Sequence, residues 1–169
     1  MAIALDYARL DTAADELAIK SQYIAAVRTI ERVHRLLLDV VKSEFERIGR
    51  TDVNSVQALL IFHIGDSELT AGELRTRGYY LGSNVSYNLK KLVQSGYIHH
   101  KRSTTDRRSV RVHLTAKGKE VSEIVNRLFE RQLGMIEKVG GISTADLRAF
   151  NQIMLRLERF WGDQIRYRL

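Results

Sequence analysis

The side chains in this sequence best suited to chemistry are hydrogen-bonding and cationic, and they crowd the middle of the chain. Ser83, Asn84, Ser86 and Tyr87 stand together, and Lys90 and Lys91 follow one helical turn later. An asparagine amide can pair both donor and acceptor with adenine, hydroxyls can serve bases or phosphates, and lysines suit phosphates. Arg75, Arg77, Lys101 and Arg102 flank this group. Arg107 and Arg108 sit in the polar loop Ser103-Thr104-Thr105-Asp106-Arg107-Arg108. An arginine at a loop tip suits the negative potential of a minor groove. Charge follows the same pattern. Of the 27 Lys/Arg, 11 fall between Arg75 and Lys119, against a single acid there, Asp106, although the chain holds 20 acids in all. A basic middle in a slightly acidic frame is the footprint of a polyanion-binding module.

Other chemistries find no support. There is no cysteine, so disulfides, thiolate-held zinc and thiol redox sensing are excluded. His99 and His100 are adjacent on an expected strand and point to opposite faces, while His34 and His63 fall on apolar helical faces. No metal or other cofactor is expected. The glycines Gly72, Gly78 and Gly82 do not form a phosphate-cradling loop. The stretch Gly65-Asp66-Ser67-Glu68-Leu69 superficially matches the G-D-S-x-L block of an esterase and lipase superfamily. That block belongs after a first strand, with a D-x-x-H near the C-terminus, and the last histidine here is His113. A serine without a positioned base is not activated, so no enzyme is expected.

The elements that must position the basic set can be read from periodicity. From about residue 12 to 48, apolar side chains recur at steps of three, four and seven, the face of one long helix. An apolar stripe that long needs another chain, or a distant part of this one, to cover it. A short helix, largely buried, is expected over 52–64. Thr70 and Glu73 have the spacing of a capping box and open a short helix. The spacing then predicts a helix over 82–95, with Val85, Leu89, Leu92 and Val93 inward and the polar and basic residues outward. Two short helices behind one turn have the shape of a helix-turn-helix. Strands over 97–102 and 109–114 around the basic loop make a wing. Helices over 116–139 and after Ser143 carry a further long apolar stripe. The expected fold is mainly α with a two-stranded β wing, a winged helix-turn-helix between long N- and C-terminal helices. No proline interrupts it.

The run DRRSVRVHLTAKG, from Asp106 to Gly118, resembles the wing block of MarR-type winged-helix transcriptional regulators. That block reads D-x-R, a strand, then L-T-x-x-G opening the next helix, and the matching positions are Asp106, Arg108, Leu114, Thr115 and Gly118. VSYNLKKLVQSGYI resembles the family's recognition helix, and YYLGSNVSYNLKKL resembles its LdtR-like branch. The resemblance implies that Arg108 is the wing arginine and that Asp106 holds the wing arginines in place. It also implies a homodimer with interlocked terminal helices, and a small-molecule pocket between those helices and the DNA-binding lobe.

The resulting expectation is a dimeric, ligand-responsive DNA-binding regulator on a pseudo-palindromic operator. Its units would be an N-terminal extension and dimerisation helix over 1–49, a winged lobe over 50–115, and dimerisation helices over 116–169. Val41, Phe45, Leu60, His63 and Tyr79 are the expected walls of a pocket for a small apolar or aromatic effector. The expected location is the cytoplasm, since no apolar run is long enough to span a membrane. The alternative is an adaptor whose winged module binds an acidic protein partner.

Overall fold

The computed structural model describes residues 13–67, 69–70, 73–74, 82–102 and 110–167. Helix α1 runs over Ala13–Arg47, with Asp15 and Glu16 in its first turn and Arg47 in its last, as the helix dipole favours. Its 35 residues span about 52 Å at 1.5 Å per residue. Gly49 ends it at φ +71°. The Gly49 N–H donates to Glu46 O at 3.0 Å and the Arg50 N–H to Phe45 O at 2.8 Å, a Schellman closure.

Helix α2, Ser55–Ile64, begins three residues later than its apolar pattern suggested. Asn54 sets the start. Its side chain accepts the Gln57 N–H at 2.9 Å, and the Gln57 side chain accepts the Asn54 N–H at 3.2 Å. Ala58, Leu59, Leu60, Ile61 and Ile64 are all buried, so α2 is a central helix rather than an amphipathic one. Strand β1 is the short Leu69–Thr70. Thr70 and Glu73 then form the expected reciprocal cap: the Glu73 N–H meets Thr70 Oγ1 at 3.0 Å and the Thr70 N–H meets Glu73 Oε2 at 2.6 Å.

Helix α3 covers Gly82–Gln94. Strands β2, Ile98–Arg102, and β3, Val110–Leu114, pair antiparallel with Ile98 opposite Leu114 and His99 opposite His113. These are the two expected wing strands. A third joins them: β1 pairs with β3, Leu69 opposite Val112, giving the order β1-β3-β2. Helix α4 covers Ala116–Ile136 and α5 covers Thr144–Tyr167.

The core gathers where α1 ends. Val41 and Phe45 of α1 meet α2, Leu89 and Leu92 of α3, the inward strand residues Ile98, Val112 and Leu114, and Val121, Val125 and Leu128 of α4. Burying each such side chain is worth about 1.5–3 kcal/mol. Glu44, only 8% exposed, ties α1 to α4. It accepts two hydrogen bonds from Arg47, at 3.0 and 2.8 Å, and pairs with Arg131 at 2.6 Å. The arginines' hydrogen bonds, Arg47 foremost, hold its pKa down at about 2 against the pull of burial. The far end of α1 and all of α5 lie outside this core. No residue of α5 is buried, and Leu17, Ile24, Leu36, Phe150, Ile153 and Phe160 are exposed. A hydrogen bond joins the two arms, from Trp161 Nε1 to the Tyr23 hydroxyl at 3.0 Å. No helix among the described residues is long and apolar enough to cross a membrane.

Candidate nucleic-acid interface

The inner face of α3 is fixed by Leu89 and Leu92, both buried. Ser86, Tyr87, Lys90 and Lys91 are exposed, and their i, i+1, i+4, i+5 spacing puts them on one outward face. Lys91 Nζ lies 5.9 Å from the Tyr87 ring centroid, and Tyr87 is 61% exposed. The helix carries no acid. Ser83 and Asn84 lie in its first turn, with side chains outside the described atoms. The 13-residue helix is about 20 Å long, and a helix of ordinary width fits the major groove, which is about 12 Å wide.

The C-terminal end of α3 is held in place by backbone geometry. Gly96 adopts φ +74°, its N–H donates to Val93 O at 3.0 Å, and the Tyr97 N–H donates to Leu92 O at 2.9 Å. The next residues enter β2, so the helix and the sheet share one rigid corner. Helix α4 closes on that corner. The Thr115 N–H donates to Tyr97 O at 3.0 Å, and the Thr115 hydroxyl donates to Gly96 O at 2.7 Å. Thr115 Oγ1 also accepts the Gly118 N–H at 3.1 Å, capping α4. A Cβ on Gly118 would stand 2.1 Å from Tyr97 O, so only glycine permits this approach.

On the sheet, Arg111 is exposed on β3, in register with Lys101 of β2 and Thr70 of β1. Arg111 is not among the predicted contacts, although strand alternation sets its side chain on the face away from Val112. Arg102 lies at the end of β2, its side chain outside the described atoms. Arg75, Tyr79, Asp106, Arg107 and Arg108 lie outside the described residues.

Comparison with solved structures gives the fold. Streptococcus pneumoniae FabT in complex with DNA is 23% identical, covers 83% of this chain and 98% of its own, and superposes with a TM-score of 0.61. A cysteine-to-serine variant of E. coli MarR complexed with operator DNA is 18% identical, covers 80% of this chain and 95% of its own, and has a TM-score of 0.64. A family model described as a winged helix DNA-binding domain matches residues 53–118. The exopolysaccharide II synthesis transcriptional activator ExpG of Rhizobium meliloti (strain 1021) is 34% identical over 148 residues, 86% of this chain and 74% of that protein. The chain belongs to the MarR family of winged-helix transcriptional regulators.

The family is one of regulators, not enzymes, which removes the esterase reading. In this MarR-family chain Ser67 lies in the exposed turn after α2, its N–H donating to Ile64 O at 3.3 Å. Among the described residues no group of three or more His, Cys, Asp or Glu is placed to hold a metal ion. His99 and His113 do meet across the strands, ring centroids 5.3 Å apart, a pairing that only the strand register reveals.

Three of the five expected pocket residues are packed in the core. Val41 and Leu60 are fully buried in the core, and Phe45 is 3% exposed. Apolar periodicity does not distinguish a cavity wall from a core residue. His63 is half-buried beside Phe62, ring centroids 5.6 Å apart, and burial lowers its pKa. Phe45 borders a small open groove of about 230 Å³ with Lys42, Arg50 and Asn54. A larger open groove, about 590 Å³, lies between the turn at Gly65-Asp66 and the first turns of α4, lined by Leu114, Lys119, Glu120 and Glu123.

Proposed function

We propose that this MarR-family chain works as a homodimer that reads a pseudo-palindromic duplex. Each subunit lays α3 in a major groove and sets Arg107 and Arg108 of the wing loop in the neighbouring minor groove. The observation that carries this reading is the outward face of α3. Ser86, Tyr87, Lys90 and Lys91 project from a helix that has no acid and whose opposite face is locked to the core. Ser83 and Asn84 would reach base edges, while Lys90, Lys91, Arg75 and Arg102 would hold phosphates. Asp106 would orient the wing arginines. The complexes of FabT with DNA and of MarR with operator DNA support duplex DNA as the partner.

The exposed apolar faces of α1 and α5 support dimerisation, with residues 1–49 and 116–169 forming the dimer arms and 50–115 the reading lobe. A two-fold axis then sets half-sites about one helical turn apart. A small apolar or aromatic effector at the junction of arms and lobe would change the spacing of the lobes, a coupling of about 1–3 kcal/mol. The protein would act in the cytoplasm, where its duplex is.

The test is enrichment of a random duplex pool, followed by titration at about 150 mM salt, where non-specific binding is expected only at roughly 10⁻⁴–10⁻⁶ M. Nanomolar binding to one selected duplex is the expected result. Asn84→Ala should then cost about 1–3 kcal/mol on that duplex, and Arg108→Ala should weaken binding to all duplexes. Equal, weak binding to every duplex would refute the reading and favour an acidic protein partner for the basic lobe.

A further inference from the structure

The exit of α3 is joined to the α1–α2 link by a polar cluster that packing alone does not require. Tyr97 is 1% exposed, yet its hydroxyl donates to the Asp52 carboxylate. Arg50 forks onto the same carboxylate, Nε to Oδ1 at 3.2 Å and Nη2 to Oδ2 at 3.0 Å, and reaches the Tyr97 oxygen at 3.4 Å. Lys117 sits over the other side of the tyrosine, its Nζ 4.2 Å from the ring centroid, and donates to Ser95 O at 3.1 Å. The Arg50 guanidinium, with the Tyr97 hydroxyl, holds the Asp52 carboxyl well below the usual carboxylate range.

A phenylalanine would fill the same core volume without a hydroxyl to satisfy. Polar groups at such a place add little net stability, and what they add instead is direction. Here the direction runs between two defined points. Arg50 and Asp52 lie just beyond the C-terminal end of α1, and Tyr97 lies just beyond that of α3. The cluster therefore fixes the angle of α3 against α1. That angle matters because of leverage. A tilt of about 5° about the C-terminal end of α3 moves its far end, about 20 Å away, by about 2 Å. In a dimer joined through α1, both reading helices would shift.

We propose that Arg50, Asp52 and Tyr97 are positioning residues for operator recognition, setting the separation of the two α3 helices without touching DNA. This rests on the DNA-reading function proposed above. The test uses the full chain and a duplex that the wild type selects from a random pool. It adds versions of that duplex with the half-sites moved one base pair closer or farther, and a scrambled duplex. Tyr97→Phe is expected to lose at least fivefold in affinity for the selected duplex and to bind the scrambled one as the wild type does. Its preference among the three spacings should flatten to within about twofold. Asp52→Asn keeps an acceptor for the tyrosine but gives up the charge facing Arg50. It should show the same flattening to a smaller degree, and the double variant should be no worse than Tyr97→Phe. Asp52→Asn also carries the test if Tyr97→Phe melts early. Unchanged affinity and spacing preference in both variants would overturn the proposal, as would an equal loss on selected and scrambled duplexes. If the wild type selects no duplex, the DNA reading itself fails and the positioning role falls with it.

Discussion

Replacing Gly118 by alanine pits two effects of opposite sign against each other. Gly118 lies in the first turn of α4. By intrinsic propensity alone, glycine to alanine in a helix stabilises by about 1 kcal/mol. The packing gives the opposite sign. The new Cβ would lie 2.1 Å from Tyr97 O, 3.2 Å from Tyr97 C and 3.3 Å from Leu114 Cβ. Backbone cannot swing aside as a flexible side chain does, so α4 must retreat by about 1 Å to restore ordinary contact distance, and cores charge about 1–3 kcal/mol for such overpacking. The retreat also stretches the Thr115 N–H···O bond to Tyr97, now 3.0 Å, and the Thr115 hydroxyl's bond to Gly96 O, now 2.7 Å. Each such bond contributes about 0.5–1.5 kcal/mol. The net expectation is a loss of about 2–4 kcal/mol, read as a lower urea midpoint at fixed protein concentration. Gly134→Ala is the internal control, because that glycine lies in the same helix with nothing within 4 Å of its would-be Cβ. It should stabilise by up to about 1 kcal/mol. A Gly118→Ala protein as stable as the wild type, or more so, would refute the close-approach reasoning.

Three other expectations follow from particular contacts. Glu44 has its pKa lowered from 4.5 to about 2, so its stabilisation is complete above pH 4.5 and is lost as the pH falls toward 2. Since both arginines stand half in solvent, the loss should be about 1–2 kcal/mol, and Glu44→Gln should remove that part of the acid titration of stability. Asn54→Ala removes the acceptor for the Gln57 N–H and should lower stability by about 0.5–2 kcal/mol in urea unfolding; no change would mean the cap is idle. Ile153→Asp, on the exposed face of α5, should convert dimer to monomer at micromolar concentration in sedimentation. A variant that stays dimeric would take α5 out of the interface.

Much of the architecture was legible because it rests on local rules. The long stripe of α1, the Thr70–Glu73 cap, the stop at Gly96 and the Thr115 cap are interactions within a few residues, and composition announces them. The start of α2 was misplaced at Asp52 because the Asn54–Gln57 cap is disguised: glutamine takes the place of the more obvious acid. Strand β1 went unread since two residues show no period; only pairing with Val112 and Arg111 makes Leu69–Thr70 a strand. The link between Tyr97 and Asp52 spans 45 positions, so no local pattern contains it. The expected pocket walls depend on long-range packing in the same way. Helix α2 is apolar on all sides, so its residues could be assigned to wall or core only once their neighbours were known.

The division between a packed lobe and bare arms has a consequence for how such a chain would regulate. A 24-residue helix with no fully buried residue, as α5 is, gains little from its own chain, because helix stability in proteins comes chiefly from covering an apolar face. The exposed apolar residues of α1 are in the same position, and a Trp161–Tyr23 hydrogen bond links them to α5. In the proposed dimer those arms would fold against each other, and arm stability, dimer affinity and the geometry of the two α3 helices would become one linked equilibrium. The core of the reading lobe closes within 41–128, taking in the C-terminal end of α1 and the first half of α4. A perturbation confined to α5 and the exposed N-terminal part of α1 would therefore leave each lobe's core intact and change the distance between lobes. The Glu44–Arg131 pair and the Arg50–Asp52–Tyr97 cluster stand where α1 meets α4 and where it meets the exit of α3. Both contacts are directional and charged, so they resist bending more than apolar packing would. Motion of the arms would thus reach the α3 helices as rotation of whole lobes rather than as local distortion within them.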